Sequence, residues 1–151
     1  VSTRLDAKTA LAEEAEITTD ALQHVSSHQI RTASLRKEGD GHYWATARVN
    51  DTPVKFLVDT GASLVALSRR DARRIGINID NLQKNADVRT AAGRVKASTT
   101  IIDEIVIDGV TVRNVSAVVM EDGLETSLLG MSFLNRLEGW DVTANAIVIH
   151  E

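Results

Sequence analysis

Over residues 30–58 apolar and polar side chains alternate in short runs interrupted by turn-forming residues, the period-two signature of half-buried strands. The spacing predicts strands over Ile30–Arg36, Tyr43–Val49 and Val54–Val58, with turns at Glu38–Gly41 and Asn50–Pro53. The single proline, Pro53, falls at a strand entrance, where a missing amide donor is tolerated. Leu64–Leu67 reads as a further short strand. Ser68-Arg69-Arg70-Asp71 then has the form of a capping box that starts a helix, and Gly76 stops it. Val88–Val95 reads as a β-hairpin, and Val95–Ile107, Val110–Met120 and Ala146–Ile149 as strands. The pattern is that of an all-β core with two short helices.

Residues 3–26 follow a different period. Leu11, Ala15, Thr18, Leu22 and Val25 recur at helical spacing, with Glu13, Glu14, Glu16 and Asp20 elsewhere on the wheel. This predicts an amphipathic helix with a thin apolar stripe, and Ser26-Ser27-His28 reads as a linker. The chain thus divides into an N-terminal helical extension and linker, residues 1–28, and a β domain, residues 29–151. A helix packed on its own domain, a juxtamembrane stalk and a removable pro-segment all fit the stripe.

Composition narrows the chemistry. At 151 residues the chain is long enough for a real core, and its 43% apolar and 3% aromatic content favours strands packed with branched aliphatics. A net charge of -4 argues against nucleic acid as the partner. The absence of cysteine excludes disulfides, thiol catalysis and cysteine-bound metal. His24, His28, His42 and His150 match no recognised ligand spacing, and no glycine-rich phosphate loop is present, so neither metal nor cofactor is expected. His42 is expected to be structural, and Trp44 and Trp140 to pack in the core or an interface. Arg69, Arg70, Arg73 and Arg74 are read as a solvated helix face in preference to a polyanion site, because no aromatics are interleaved. No apolar run approaches the roughly 20 residues that span a bilayer. Because Val1 opens the chain, an anchor upstream of it is expected to have been removed.

The chemistry concentrates at Phe56-Leu57-Val58-Asp59-Thr60-Gly61-Ala62-Ser63. An aspartate placed where an apolar strand breaks is held by packed backbone, and a held carboxylate facing a cleft is suited to proton transfer. One carboxylate cannot both give and take a proton. A homodimer whose two-fold axis passes beside Asp59 would supply the second. Ser63 has no base at a recognisable spacing and is read as a cap for the turn.

Asp59-Thr60-Gly61-Ala62 after an aliphatic strand resembles the active-site loop of retropepsin-like aspartic proteases. Leu128-Leu129-Gly130, leading into Met131-Ser132-Phe133-Leu134, resembles that family's second signature, at a similar separation from Asp59. The hairpin around Thr90, Ala91, Ala92 and Gly93 stands where the family carries its flap, although the retroviral flap is usually richer in glycine and the pepsin flap tyrosine is absent. The resemblance covers about residues 41–149 and is closest to bacterial single-domain members, often membrane-anchored and periplasm-facing, whose Gly-His-aromatic opening is matched by Gly41-His42-Tyr43.

The resemblance implies a closed β-barrel with a flap hairpin and an aspartic endopeptidase that hydrolyses extended protein segments as a homodimer. The two Asp59 carboxylates would lie about 3 Å apart and share one proton. Thr60 would bond across the axis, Gly61 would let the backbone approach the carboxylate, and Thr90 to Gly93 would cover the peptide. Pepsin-like relatives often carry serine where Ala62 stands. Without that hydroxyl the pair is expected to keep its proton to higher pH, giving a milder optimum than gastric-type enzymes. Periplasmic location with a membrane tether is the matching expectation. Ile147–His150 would pair either with a partner's terminus or within one subunit. Two other readings stand beside the enzyme: a dimerising or peptide-binding module of the same fold with little turnover, and a plain all-β interaction domain.

Overall fold

The computed structural model describes residues 31–90 and 93–151. In chain order, β1 spans Thr32–Arg36, β2 Trp44–Val49, β3 Thr52–Val58 and β4 Val65–Ser68. Helix α1 (Arg69–Arg74) and a 3-10 turn (Ile79–Asn81) lead into β5 (Ala86–Thr90) and β6 (Gly93–Ile107). Then come β7 (Val110–Met120), β8 (Leu128–Leu129), helix α2 (Met131–Leu134), β9 (Gly139–Val142) and β10 (Ala146–His150). The expected helix over 3–26, the linker at 26–28 and the 28/29 boundary lie outside the described residues.

Seven strands are hydrogen-bonded in the order β2-β3-β8-β4-β7-β6-β5, and β2 also pairs with β6 through Arg48↔Val106 and Val49↔Ile105. That extra pairing closes six strands into a barrel and leaves β5 attached only to the first part of β6. The expected all-β closed barrel with short helices is the observed fold.

The residue pattern accounts for the closure. Ala45, Ala47 and Val49 on β2, with Val54 and Phe56 on β3, alternate inward to a single core. Strand β4 and the end of β7 are buried on both faces, so their apolar runs are continuous. Val65, Leu67, Ala117 and Val119 enter the barrel core, while Ala66, Val118 and Met120 form a second cluster with Ala97. Helix α2 buries Phe133 and Leu134 completely in the barrel core, each contributing about 1.5–3 kcal/mol.

Three expectations shift in detail. The β2–β3 turn is the pair Asn50-Asp51, with φ of 47° and 72°, and not the four residues 50–53. Thr52 and Pro53 already pair with Val49 and Arg48. Two successive positive φ values match the twist of a tight hairpin, and Asn and Asp tolerate that region better than most residues. The short strand after Asp59 runs Val65–Ser68, one residue later than expected. Strands β8 and β9 give no usable periodic signal, β8 because it is two residues long and β9 because it is four, with burial that runs in pairs and does not alternate.

Strand β10 lies between β1 and β9 in a separate three-stranded sheet. Its pairings run from Thr32↔His150 to Arg36↔Ala146 on one side and from Ile147↔Val142 to His150↔Gly139 on the other. Of the two arrangements open for Ile147–His150, the one within a single subunit is realised. Trp140 packs half-buried against the core, as expected. Trp44 does not: its Nε1 donates to Asp40 Oδ2 at 3.0 Å, and Lys55 Nζ sits 4.7 Å from its ring centroid.

Candidate active site

Strand β3 ends at Val58 and β4 begins at Val65, and the two do not pair with each other. Strand β8 lies between them, parallel to β3 (Val58↔Leu129) and antiparallel to β4 (Ala66↔Leu128). The loop from Asp59 to Leu64 therefore arches over the end of β8. Its foot is fixed by the Asp59 amide donating to Leu129 O at 3.1 Å, and its crown by the Met131 amide donating to Ala62 O at 2.8 Å. Gly130 runs directly beneath. Asp59-Thr60-Gly61 and Leu128-Leu129-Gly130, linked in the sequence by resemblance alone, are brought into contact by the fold.

Within the arch, Gly61 N donates to Asp59 Oδ1 at 2.9 Å and Ala62 N to Asp59 O at 3.1 Å. Ser63 was expected to cap this turn. It is exposed, and its hydroxyl makes no hydrogen bond among the described residues, because the Asp59 carboxylate and carbonyl already satisfy the turn's amides. Asp59 is half-buried and Thr60 exposed. Asp59 Oδ2 has no hydrogen-bond partner among the described residues, so one oxygen is anchored and the other is left free to bond.

Asp59 lies in the wall of a cleft of about 570 Å³. The loop forms one side through Gly61, Ala62 and Ser63, and the β5–β6 hairpin the other through Val88, Arg89 and Thr90. The second apolar cluster supplies the floor: Ala66, Val118, Met120 and Leu128 all line the cleft. The two-sided burial of β4 and β7 thus has a purpose, with one face for the barrel core and the other for whatever occupies the cleft. Thr90 pairs with Gly93 across the hairpin end, and its Oγ1 donates to Gly93 O at 2.8 Å. Ala91 and Ala92, the expected flap tip, lie outside the described residues.

Two serines that the sequence did not single out hold the arch in place. Ser132 Oγ accepts from Val65 N at 2.8 Å and donates to Ser116 O at 2.7 Å, tying the loop's exit to α2 and β7. Ser127, fully buried, does the same from the other side. Its carbonyl accepts from Leu57 N at 2.9 Å, and its hydroxyl accepts from Ser68 N at 3.0 Å while donating to Asp71 Oδ2 at 2.7 Å.

The capping box expected at Ser68 is present in its first half, Asp71 N donating to Ser68 Oγ at 3.1 Å. In the second half the Ser127 hydroxyl stands between Ser68 N and the Asp71 carboxylate. The other Asp71 oxygen accepts from Arg74 Nη1 at 3.0 Å, and Arg74 Nη2 reaches Pro53 O at 2.8 Å. A serine preceding an apolar pair carries no signal for this role, since it depends on a helix that comes 56 residues earlier.

His24 and His28 lie outside the described residues, and His42 and His150 are not in the cleft's lining. His150 Nε2 is 3.1 Å from Asp141 Oδ2, and the His42 ring is exposed while its backbone amide bonds Asp40. Two carboxylates line the cleft, Asp59 and Asp87, and Asp87 is paired with Lys96 at 3.0 Å. Among the described residues one unpaired acid lines the cleft, able to take a proton or give one but not both at once.

The family model for gag-polyprotein putative aspartyl protease matches residues 45–136, from β2 through α2. An uncharacterized protein of Rickettsia prowazekii (strain Madrid E) is 35% identical over 124 residues, 82% of this chain and 53% of that protein. An uncharacterized protein in the cobV 5′ region of Sinorhizobium sp is 46% identical over 105 residues, 69% of this chain and 45% of that protein. The chain spans about half the length of these curated relatives. Among solved structures, a retropepsin-like aspartic protease from Rickettsia conorii superposes with a TM-score of 0.74 at 33% identity, covering 81% of this chain and 92% of that one. EIAV protease complexed with an inhibitor superposes with a TM-score of 0.58 at 21% identity, covering 70% and 97%, a likeness of fold.

Proposed function

The chain belongs to the retropepsin-like aspartic proteases, and we propose that it is an aspartic endopeptidase that works as a homodimer on extended stretches of polypeptide. The observation that carries this reading is the setting of Asp59. Its carboxylate is anchored through Oδ1 to the Gly61 amide, open through Oδ2, and lies in the wall of a cleft of about 570 Å³. Among the described residues the cleft holds no second unpaired acid, since Asp87 is paired with Lys96. Acid–base hydrolysis needs two, and a second copy of the loop supplies it.

In that dimer the ionised Asp59 takes a proton from a water, whose oxygen bonds to the scissile carbonyl carbon. The protonated Asp59 of the partner subunit donates toward the carbonyl oxygen. Collapse of the resulting tetrahedral diol breaks the C–N bond, and the amine leaves with a proton returned from the pair. The two apparent titration steps belong to the pair as a unit. An extended peptide adds its backbone to the hairpin edge and its apolar side chains to the floor of Ala66, Val118, Met120 and Leu128. A periplasmic location with a membrane tether is a companion proposal, resting on the Gly41-His42-Tyr43 opening that resembles membrane-anchored bacterial members. Fractionation of cells carrying the tagged full-length protein tests it.

The decisive experiment is digestion of an unstructured protein from about pH 4 to about pH 7, with and without pepstatin, for the wild type and Asp59→Ala. Wild-type cleavage that pepstatin blocks and Asp59→Ala lacks is the expected result, with specific activity rising with protein concentration as the dimer forms. Cleavage that survives Asp59→Ala overturns the role of Asp59. A wild type that binds peptide without cutting it in any of these conditions is a binding module of the same fold.

A further inference from the structure

Beside the cleft runs a second groove, of about 520 Å³, that the reaction above does not use. It is lined by Ser68, Arg69, Arg70, Arg73, Arg74, Leu124 and Glu125, four guanidinium groups against one carboxylate. Arg74 is committed to Asp71 and to Pro53 O. Arg69, Arg70 and Arg73 are exposed and make no ion pair among the described residues.

Two facts set this apart from an ordinary solvated helix face. The chain as a whole is acidic, at -4, so the clustering runs against its overall charge. The groove also adjoins the cleft, because Leu124 lines both. A chain leaving the cleft over Leu124 would come within reach of the arginines.

We propose that this groove is a distal substrate subsite that selects polypeptides carrying acidic residues several positions to one side of the bond to be cut. The inference rests on the endopeptidase reading. Guanidinium groups recognise carboxylates in fixed, often two-pronged geometry, and unpaired ones at a groove rim steer and hold an oppositely charged chain. The occupant is a peptide and not a nucleic acid, since the groove adjoins the cleft that the endopeptidase reading gives to a peptide, and its lining contains no aromatic ring on which bases would stack.

The test uses two peptides with the same cleavable core, one flanked by Asp and Glu and one by Asn and Gln, with the flank placed in turn on either side. Wild type at low salt is expected to favour the acidic peptide by roughly three- to tenfold in kcat/KM, through KM, for one of the two placements. The ratio falls to about one at high salt. It falls likewise in Arg70→Gln/Arg73→Gln, and it inverts in Arg70→Glu/Arg73→Glu. Labelled versions of the same peptides, titrated by fluorescence anisotropy against Asp59→Ala, give the same ratio without turnover. Anisotropy thus reads the subsite even if cleavage fails, which separates failure of this proposal from failure of the protease reading. Equal binding of the two peptides, or a preference that survives loss of the arginines, overturns it. So does an arginine-dependent affinity for single-stranded oligonucleotide with no effect of peptide charge.

Discussion

A Cβ at position 130 would stand 2.7 Å from the carbonyl oxygen of Ala62, and closer still to that of Leu64. The backbone of Gly130, at φ −97° and ψ −169°, is extended and open to any residue, so glycine is required here by space alone. The clash is with backbone that cannot swing aside, and that backbone is the arch carrying Asp59. Gly130→Ala is expected to destabilise the fold by about 1–3 kcal/mol and to lower kcat by displacing the arch. Urea unfolding and peptide turnover measure the two effects. An alanine variant with wild-type stability and rate would show that the arch is not seated on Gly130.

The Ser127–Asp71 bond joins the base of the arch to α1 with both partners buried. Ser127→Ala leaves an Asp71 oxygen and the Ser68 amide without a partner, and is expected to destabilise by about 1–3 kcal/mol. Asp71→Asn is expected to weaken the same network. In a double-mutant cycle followed by denaturant unfolding, the two changes together are expected to cost less than their sum, because each removes the same bond. Strict additivity would mean that the hydroxyl and the carboxylate act independently.

Asp40 accepts the His42 amide at 3.0 Å and the Trp44 indole at 3.0 Å. The His42 amide first, and the Trp44 indole after it, hold its carboxyl below the ordinary aspartate value. A group with a depressed folded value adds stability above its unfolded value and loses it as pH falls through the folded one. The stability gap between wild type and Asp40→Asn is therefore expected to be full near neutrality and to close on acidification below the ordinary aspartate range. Urea unfolding of both proteins across acid pH tests this, with the Asp40 carboxyl resonance giving its titration directly. A gap that stays constant into strong acid would remove the assigned cause.

The division between pattern and packing follows from the range over which each interaction acts. Strand alternation in Ala45, Ala47 and Val49, and in Val54 and Phe56, is local, so it is legible in the residues themselves. The same holds for the Ser68 cap and for the break at Asp59. Short elements escape because two residues such as Leu128-Leu129 have no period. Trp44 stays out of the core because an aromatic beside a turn can serve the surface through its indole as well as the core through its ring. Contacts such as Ser127 to Asp71 or Ser132 to Val65 link positions more than 50 apart, and nothing local marks them.

From its residues alone the chain was bound to be a β protein built of branched aliphatics, with one aspartate set at a strand break that cannot by itself both give and take a proton. Only the folded arrangement decided that β8 threads between β3 and β4, that Gly130 seats the arch, and that the C-terminal strand is consumed within its own subunit. Side-chain periodicity is read from neighbours in sequence, whereas the close approach of backbones distant in sequence is settled by the closure of the barrel.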